Sequence, residues 1–305
     1  MTYSAFTSAM AEEAVRQGGD QYYYSVVTVE PPREGEKLFH METVHLRPGN
    51  PAHDSYSVAK SVSSMAAGLL CDRGLLSMNN TLGDYLGEYL VPGTDPEWGN
   101  VTVHRLLRHR TGAERGVDFD MTNAHLWEDP EWLHTLFAIP IVSPPEDRFV
   151  YSDGNYYILG RIVEKLTGVD MEAFLQKEIF VPLGFHVQAW SRDVAGHTVG
   201  GTGLYVRTED LARIGWLWLN RGLWGDHRIF SEAWAHAFLD FTPDAVANYG
   251  YGIGELAPRI HGAGGMYGQG ICFDEETRRA VAFHCFDPEG KTRGLAGAFV
   301  KFCRS

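Results

Sequence analysis

Positive charge, cysteine and long apolar runs are all scarce in this sequence of 305 residues. Lysine and arginine together number 26 against 39 aspartate and glutamate residues, so the formal net charge is −13 at pH 7. Proteins that bind nucleic acids or anionic membranes use clustered Lys and Arg side chains. The one basic cluster here, residues 104–110, is short and is interrupted by two leucines. Neither a nucleic acid nor a membrane is therefore expected as a partner.

Targeting segments and disulfide spacings are absent as well. The first residues contain no basic region followed by an apolar run, and no stretch of 18 or more apolar residues occurs. The four cysteines, at positions 71, 272, 285 and 303, lack C-x-x-C spacing and lie in apolar sequence. Buried free thiols are typical of a reducing compartment. The sequence as given therefore predicts a cytoplasmic protein.

Patterns of strands and helices divide the chain into a sheet region and a helical region. Aromatic and β-branched residues predict strands at 22–30, 37–46 and within 268–286. Helical patterns separated by Gly and Pro predominate between about 77 and 191. We expect an α/β fold whose sheet is built from both termini, with residues 1–76 and 228–305 in a sheet domain. Residues 77–227 would form a mainly helical domain, with the active site at the junction.

A buried helix near residue 56 carries the first candidate catalytic residues. Small and apolar residues lie on nearly all of its faces, and Asp54 and Ser55 before it are helix-capping residue types. Ser57 and Lys60, three residues apart, share one face. A serine nucleophile needs a neighbour to take its proton, and burial disfavours the ammonium form of a lysine, which can then do so. Because S-x-x-K also occurs by chance, an ordinary helix start remains the alternative.

A second proton-handling residue is expected in the segment 149–160. Tyr151 precedes a predicted helix, in a loop from which its phenol can point at Ser57. A nearby Lys60 favours the phenolate form, which can act as a base. The alternative interpretation is a loop tyrosine that covers apolar surface.

Other catalytic classes lack their motifs. The G-x-S-x-G motif of α/β-hydrolases is absent, and the 13 histidines show no H-E-x-x-H or comparable metal-binding spacing. Residues 250–254 are rich in Gly but do not match G-x-G-x-x-G, and they predict a tight connection between strands. No metal and no other cofactor is therefore expected.

Several segments, in order, resemble the serine β-lactamase-like hydrolases, in particular the branch with class C β-lactamases, penicillin-binding proteins and family VIII esterases. Ser57–Lys60 matches S-x-x-K, residues 106–112 resemble LLxHxSG, and Tyr151-Ser152-Asp153 resembles Y-x-N. Similar segments follow at 160–184 and 203–224, so the resemblance spans roughly residues 20–290. It implies an antiparallel sheet flanked by helices, together with a helical insert domain.

The resemblance also implies an acyl-enzyme mechanism. Ser57 would attack a carbonyl carbon, and Lys60 and Tyr151 would share the proton transfers. The main-chain N–H groups of Ser57 and of a strand residue would hold the oxyanion.

The third motif of the family, K-T-G or H-x-G, is matched less closely. Its best counterpart is Met266-Tyr267-Gly268, which would open the oxyanion strand, and Gln269 would supply the second N–H group. A register that starts at His261 fails, because alanine stands where glycine is needed.

Two departures from the family pattern affect the expected chemistry. Met266 stands where Lys or His would bind a substrate carboxylate, and a thioether gives no charge-assisted hydrogen bond. Asp153 stands where Asn is usual, and an ionised Asp153 would hold Lys60 in its charged form and leave Tyr151 as the base.

The main prediction is a serine hydrolase that acts on a small ester or amide. Three alternatives remain open: β-lactamase or D-Ala-D-Ala peptidase activity, an acyltransferase of the same fold, and a binding protein that has lost turnover. The sequence does not decide the substrate or the oligomeric state.

Overall fold

The computed structural model describes residues 3–49, 51–119, 126, 128–144, 147–241, 248–292 and 294–305. The α-helices are α1 Tyr3–Arg16, α2 Ala59–Asp72, α3 Leu82–Leu86, α4 Val103–Leu107, α5 Trp132–Phe137, α6 Gly154–Thr167, α7 Met171–Leu175, α8 Thr208–Leu219, α9 Glu232–Phe238 and α10 Ala296–Cys303. The strands are β1 Tyr23–Glu30, β2 His40–His45, β3 His53–Asp54, β4 Gln188–Trp190, β5 Leu204–Val206, β6 Leu223–Trp224, β7 His227–Arg228, β8 Gly254–Ala257, β9 Ile260–Gly264, β10 Gly270–Asp274 and β11 Arg279–Cys285. Within these ranges no helix is long and apolar enough to cross a bilayer.

A six-stranded antiparallel sheet joins the two ends of the chain. Its strand order is β2-β1-β11-β10-β9-β8. Side chains of β1 belong to two hydrophobic clusters, one on each face of the sheet. Val27 and Val29 pack in the cluster that contains residues of α8, and Val26 packs with Phe6 of α1 and Phe299 of α10. Helices therefore cover both faces of the sheet, which explains why its central strands are buried on both sides. The predicted α/β fold, with a sheet built from both termini, is confirmed.

Strands β8 and β9 have no clear strand pattern in the sequence and are not predicted from it. Glycine has little preference for strands, and β9 contains two glycines in five residues. Its place in the sheet comes from pairing on both edges, with Gly262 opposite both Cys272 and Gly254.

Residues 266–268 occupy a different kind of structure from the one predicted. They lie in the turn between β9 and β10, where the N–H of Gly268 bonds the main-chain oxygen of Gly265. The prediction that Met266-Tyr267-Gly268 opens a strand is therefore wrong. The hydrophobic run that marks β10 begins only after this turn, and β9, which precedes the turn, has no such run.

The start of α2 also differs from the prediction. The helix begins at Ala59, after a 3-10 turn at Tyr56–Val58, and neither Asp54 nor Ser55 caps it. Asp54 belongs to β3, which pairs with β5, and the Ser55 hydroxyl donates to the main-chain oxygen of Leu204 at 2.8 Å. The Ser55 hydroxyl thus bonds a distant segment, and the Asp54 carboxylate accepts the N–H of Tyr56 before the helix, so neither side chain bonds the first turn of α2.

Helix α2 lies in the protein interior. Each residue from Ala59 to Leu70 is buried, and α2 contacts α6, α7 and α9. The hydroxyls of Ser61, Ser63 and Ser64 donate to main-chain oxygens, so their burial leaves no unpaired polar group. The remaining polar residue of its first turn is Lys60, whose burial requires partners of its own.

Candidate active site

The ammonium group of Lys60 connects several of the predicted residues. The side chain is fully buried. Its Nζ donates to Ser57 Oγ at 3.1 Å, to the main-chain oxygen of Gly201 at 2.8 Å and to the carboxylate of Asp153. These bonds use all three protons of an ammonium group. The structure therefore brings Ser57, Lys60 and Asp153 into direct contact and gives the buried cation a buried anion as its partner.

Asp153 is held in place by segments that are distant in sequence. Its N–H bonds the oxygen of Val117 at 2.8 Å, and its Oδ2 accepts the N–H of Phe119 at 3.0 Å. A Cβ on Gly201 would lie 2.7 Å from the main-chain oxygen of Asp153. Glycine at position 201 therefore lets this segment come close enough for its carbonyl to reach Lys60.

Tyr151 packs its ring against Lys60. The distance from the ring centroid to Nζ is 4.7 Å, which is within cation–π range. The Tyr151 side chain is partly exposed. In the described part of the chain, Ser57 Oγ has a hydrogen bond to Lys60 and none to the Tyr151 hydroxyl. The structure thus places Tyr151 beside Lys60, and its predicted role toward Ser57 stays a prediction.

His109, which lies in the LLxHxSG-like segment and is not predicted as a site residue, supports Tyr151. The buried imidazole lies 4.4 Å from the Tyr151 ring, centroid to centroid. Its Nδ1 accepts the N–H of Ser152 at 3.2 Å and also contacts the Asn155 amide. Burial, together with the charge of Lys60, holds the pKa of His109 well below its usual range. A neutral imidazole therefore fixes both the ring of Tyr151 and the main chain after it.

Two main-chain N–H groups near the candidate nucleophile lack a protein acceptor. Within the ranges that the structure describes, neither the N–H of Ser57 nor that of Met266 forms a hydrogen bond. The end of β9 packs against the turn that carries Ser57, and a Cβ on Gly265 would lie 2.8 Å from the main-chain oxygen of Ser55. Unpaired N–H donors in such positions can bind an oxyanion.

Gln269 lies directly before β10, across the β9–β10 hairpin from Gly265. Its main-chain oxygen accepts the N–H of Gly265 at 2.9 Å, and its side-chain amide donates to the oxygen of Cys285. Gly268 and Gln269 line a separate, largely apolar cavity and not the one beside Ser57. Met266 lines the cavity beside Ser57 and has an unpaired N–H group, whereas Gln269 does not line it, so Met266 is better placed than Gln269 to supply the second N–H group.

A cavity of about 170 Å³ opens beside Ser57. Its wall contains acidic and aromatic side chains, namely Asp54, Asp118, Asp153, Tyr56, Phe119 and Tyr267, and also Met266. Three of the predicted supporting residues, Asp153, Met266 and Tyr267, thus face one cavity with the serine. Among the residues that the structure describes, no group of three or more His, Cys, Asp or Glu side chains is arranged to hold a metal ion.

The sequence predicts only a capping role for Asp54, but Asp54 lines this cavity. Its Oδ1 accepts the N–H of Tyr56 at 2.8 Å. Burial, reinforced by the charge of Asp153, raises the pKa of Asp54 to about 6 against the lowering effect of hydrogen bonds from Tyr56 and Gly203. Tyr56 itself has a φ of 47°, a left-handed conformation that costs a non-glycine residue on the order of 1 kcal/mol. The Asp54 carboxylate therefore helps to hold the strained residue directly before Ser57.

Comparison with known proteins decides the family. A sequence model of the Beta-lactamase family matches residues 11–298. The chain belongs to the Beta-lactamase family. The resemblance inferred from the motifs is thereby confirmed.

Curated relatives of this Beta-lactamase family member match only over part of their length. Penicillin-binding protein 4 of Amycolatopsis lactamdurans is 31% identical over 134 residues, which cover 43% of this chain and 34% of that protein. Lovastatin esterase of Penicillium rubens is 28% identical over 149 residues, covering 42% and 37% respectively. The chain thus spans little more than a third of the length of these relatives.

One solved structure has the same fold as this chain, and the two match over the whole length of both chains. The D-stereospecific amidohydrolase from a Streptomyces species superposes with a TM-score of 0.71, and the match covers 100% of both chains at 18% sequence identity. At this identity the similarity shows the fold alone.

Proposed function

We propose that this member of the Beta-lactamase family is a serine hydrolase that forms an acyl-enzyme on a small ester or amide. The observation that carries the proposal is the hydrogen bond from Lys60 Nζ to Ser57 Oγ, in a turn where the N–H of Ser57 is unpaired. The names of one curated relative, an esterase, and of one structural neighbour, an amidohydrolase, agree with this class of substrate.

In the proposed acylation step, Lys60 orients the nucleophile and Tyr151 accepts the proton. Lys60 already donates all three of its protons, so we assign the base to the phenolate of Tyr151, which lies against the same ammonium group. As the Ser57 oxygen bonds to the carbonyl carbon, its proton passes to the Tyr151 oxygen. The charge of Lys60 stabilises the negative charge at both oxygens during this transfer.

The carbonyl oxygen becomes an oxyanion that the N–H groups of Ser57 and Met266 would hold. Collapse of the tetrahedral intermediate breaks the bond to the alcohol or amine leaving group, which takes the proton from Tyr151. A water molecule then attacks the acyl-enzyme ester and gives a proton to the Tyr151 phenolate. When this second intermediate collapses, the carboxylic acid leaves, and Ser57 regains its proton from Tyr151.

We also propose the division of the chain expected from the sequence, with residues 1–76 and 228–305 in one domain and residues 77–227 in the other. Ser57, Lys60 and Met266 then belong to the sheet domain, while Tyr151 and Asp153 belong to the helical domain. The reaction would take place at the junction of the two.

Acyl-enzyme formation can be tested with 4-nitrophenyl butyrate. We expect a burst of nitrophenolate of about one equivalent when deacylation is slower than acylation, and a butyryl adduct on the peptide that contains Ser57 by mass spectrometry. If the protein shows no burst, no adduct and no turnover, the alternative of a binding protein is favoured. Adding alcohol acceptors would reveal acyl transfer as ester products. Parallel assays with penicillins and D-Ala-D-Ala peptides test the β-lactamase and peptidase alternatives.

Alanine at position 265 should disrupt the proposed oxyanion site. The new Cβ would lie 2.8 Å from the main-chain oxygen of Ser55, so the end of β9 has to move away from Ser57. We expect kcat/KM for 4-nitrophenyl butyrate to fall about 10- to 100-fold, as for a misplaced oxyanion donor. The matched control is Gly264→Ala, whose nearest neighbouring atom is at 3.8 Å. Equal activities of the two variants would contradict the assignment.

A further inference from the structure

We infer that Tyr56 and Tyr267 are positioning residues, and that the contact between their rings sets the distance between the N–H groups of Ser57 and Met266. The inference rests on the proposed function of Ser57 and adds to it the means by which the two oxyanion donors are aligned. Proton transfer stays with Tyr151, as proposed above.

Each of the two N–H donors is adjacent in sequence to one of these tyrosines. Tyr56 directly precedes Ser57 in the 3-10 turn, and Tyr267 directly follows Met266 in the turn between β9 and β10. All four residues line the cavity of about 170 Å³. The tyrosine rings meet edge to face with centroids 4.9 Å apart, a favourable geometry for an aromatic pair. Because each ring is attached next to a donor, separating the rings would separate the donors as well.

Hydrogen bonds do not connect the two segments that carry the donors. Among the residues that the structure describes, none joins the segment 55–57 to the segment 264–268. The segments contact each other through the tyrosine rings and at Gly265, where an added Cβ would lie 3.1 Å from the Cβ of Tyr56. Packing therefore sets the spacing of the donors, and the rings are a large part of that packing.

The two rings are held in place in different ways. The main-chain oxygen of Tyr267 accepts the N–H of Asp287 at 3.1 Å, and its ring centroid lies 5.0 Å from that of Phe286. These bonds and contacts fix Tyr267 to the segment that follows β11. Tyr56 has a left-handed φ of 47°, and its N–H bonds Asp54 Oδ1 at 2.8 Å. A strained residue before the nucleophile thus rests against a ring that the sheet holds.

The Tyr56 phenol is not suited to act as a base itself. Burial, reinforced by the charges of Asp54 and Tyr267, raises the pKa of Tyr56 to about 12, so the phenol stays protonated at neutral pH. In the described part of the chain, the side-chain hydrogen bond of Ser57 Oγ is with Lys60 and not with Tyr56. The ring therefore acts by packing, and a phenylalanine ring should replace it.

Leucine and phenylalanine substitutions test the inference through burst kinetics with 4-nitrophenyl butyrate. Tyr56→Leu and Tyr267→Leu should each lower the acylation rate constant about tenfold and change the dissociation constant of the ester less than about threefold, because a donor is misplaced while the cavity persists. Tyr56→Phe and Tyr267→Phe keep the ring contact and should stay within about twofold of the unmodified protein. The double leucine variant should also lose about tenfold, and not about a hundredfold, because all three leucine variants lack the same contact.

Butylboronic acid separates a misplaced donor from a general packing defect. Its boron becomes tetrahedral on bonding Ser57 Oγ, so one boron oxygen resembles the oxyanion. We expect its inhibition constant to rise about tenfold in either leucine variant, in step with the fall in acylation rate. The matched control is Phe185→Leu, which removes a ring contact with Phe180 that also has a centroid distance of 4.9 Å, and neither ring lines the Ser57 cavity. Both constants should stay within about twofold in this control.

The outcomes separate this inference from the proposed function. If the unmodified protein gives a burst and a Ser57 adduct, the inference is overturned by additive losses in the double variant, by leucine variants that acylate normally, or by phenylalanine variants as slow as the leucine ones. The hydrolase proposal stands in each of those cases. If the unmodified protein gives neither burst nor adduct, the proposed function fails and the inference fails with it. If Tyr56→Leu does not fold, the boronic acid constant of Tyr267→Leu decides.

Discussion

Replacing Ser57 with alanine should lower kcat/KM for 4-nitrophenyl butyrate by at least about 10⁴-fold and remove the acyl adduct. The substitution deletes the only atom that forms the covalent bond in the proposed mechanism, while the N–H donors and the cavity stay in place. Activity that survives loss of a nucleophile comes from such remaining groups and is small. The measurement combines steady-state kinetics with mass spectrometry of the intact protein after incubation with the ester.

Ser61→Ala is the matched control for this substitution. Ser61 lies one turn further along α2, is buried, and donates to the main-chain oxygen of Val58 at 2.8 Å. We expect Ser61→Ala to lose at most about 1 kcal/mol of stability and to keep its adduct. An adduct that persists in Ser57→Ala, on any residue, would show that Ser57 is not the nucleophile.

Lys60→Met should lower the free energy of unfolding by about 3–5 kcal/mol, in addition to abolishing activity. The Lys60 side chain is fully buried and Asp153 is nearly so, and removal of one member of a buried ion pair leaves the other charge without compensation. Urea unfolding monitored by tryptophan fluorescence measures the loss, provided that the m value is unchanged.

Adding Asp153→Asn to Lys60→Met distinguishes the loss of a charge pair from a simple packing defect. The double variant should regain more than half of the lost stability, because no unpaired carboxylate remains, yet its activity should stay absent. A double variant that is less stable than Lys60→Met would mean that the two substitutions act independently, and it would argue against an ion pair as the reason for burying Lys60.

The parts of the site that are close in sequence could be predicted well. Ser57 and Lys60 lie within one helical turn, so the spacing of their residue types alone indicated their contact. The family motif then indicated residues 151–153, and the structure places Asp153 against Lys60 as the hypothesis of a charged lysine requires. The sheet built from both termini could also be predicted, since β1 and β11 are rich in strand-forming residues.

The parts of the site that depend on pairing between distant segments could not be predicted in the same way. Asp54 is a capping residue type by local rules, but pairing of β3 with β5 moves it to the cavity wall. The register of β9 and β10 places Met266 in the turn that connects the two strands and Gln269 directly after that turn. The contact of His109 with Tyr151 joins two loops whose approach has no local signal.

The pairing of β1 with β11 also affects how the protein is made on the ribosome. Helices α2 to α9 are all synthesised between β1 and its partner β11, and Tyr23 of β1 lies opposite Cys285 of β11. Folds dominated by such distant contacts fold slowly, and incomplete chains expose apolar surface. The apolar helix α2 is therefore synthesised before its neighbours α6, α7 and α9, and the hairpin that carries Met266 can reach Ser57 only after all three of those helices have been made.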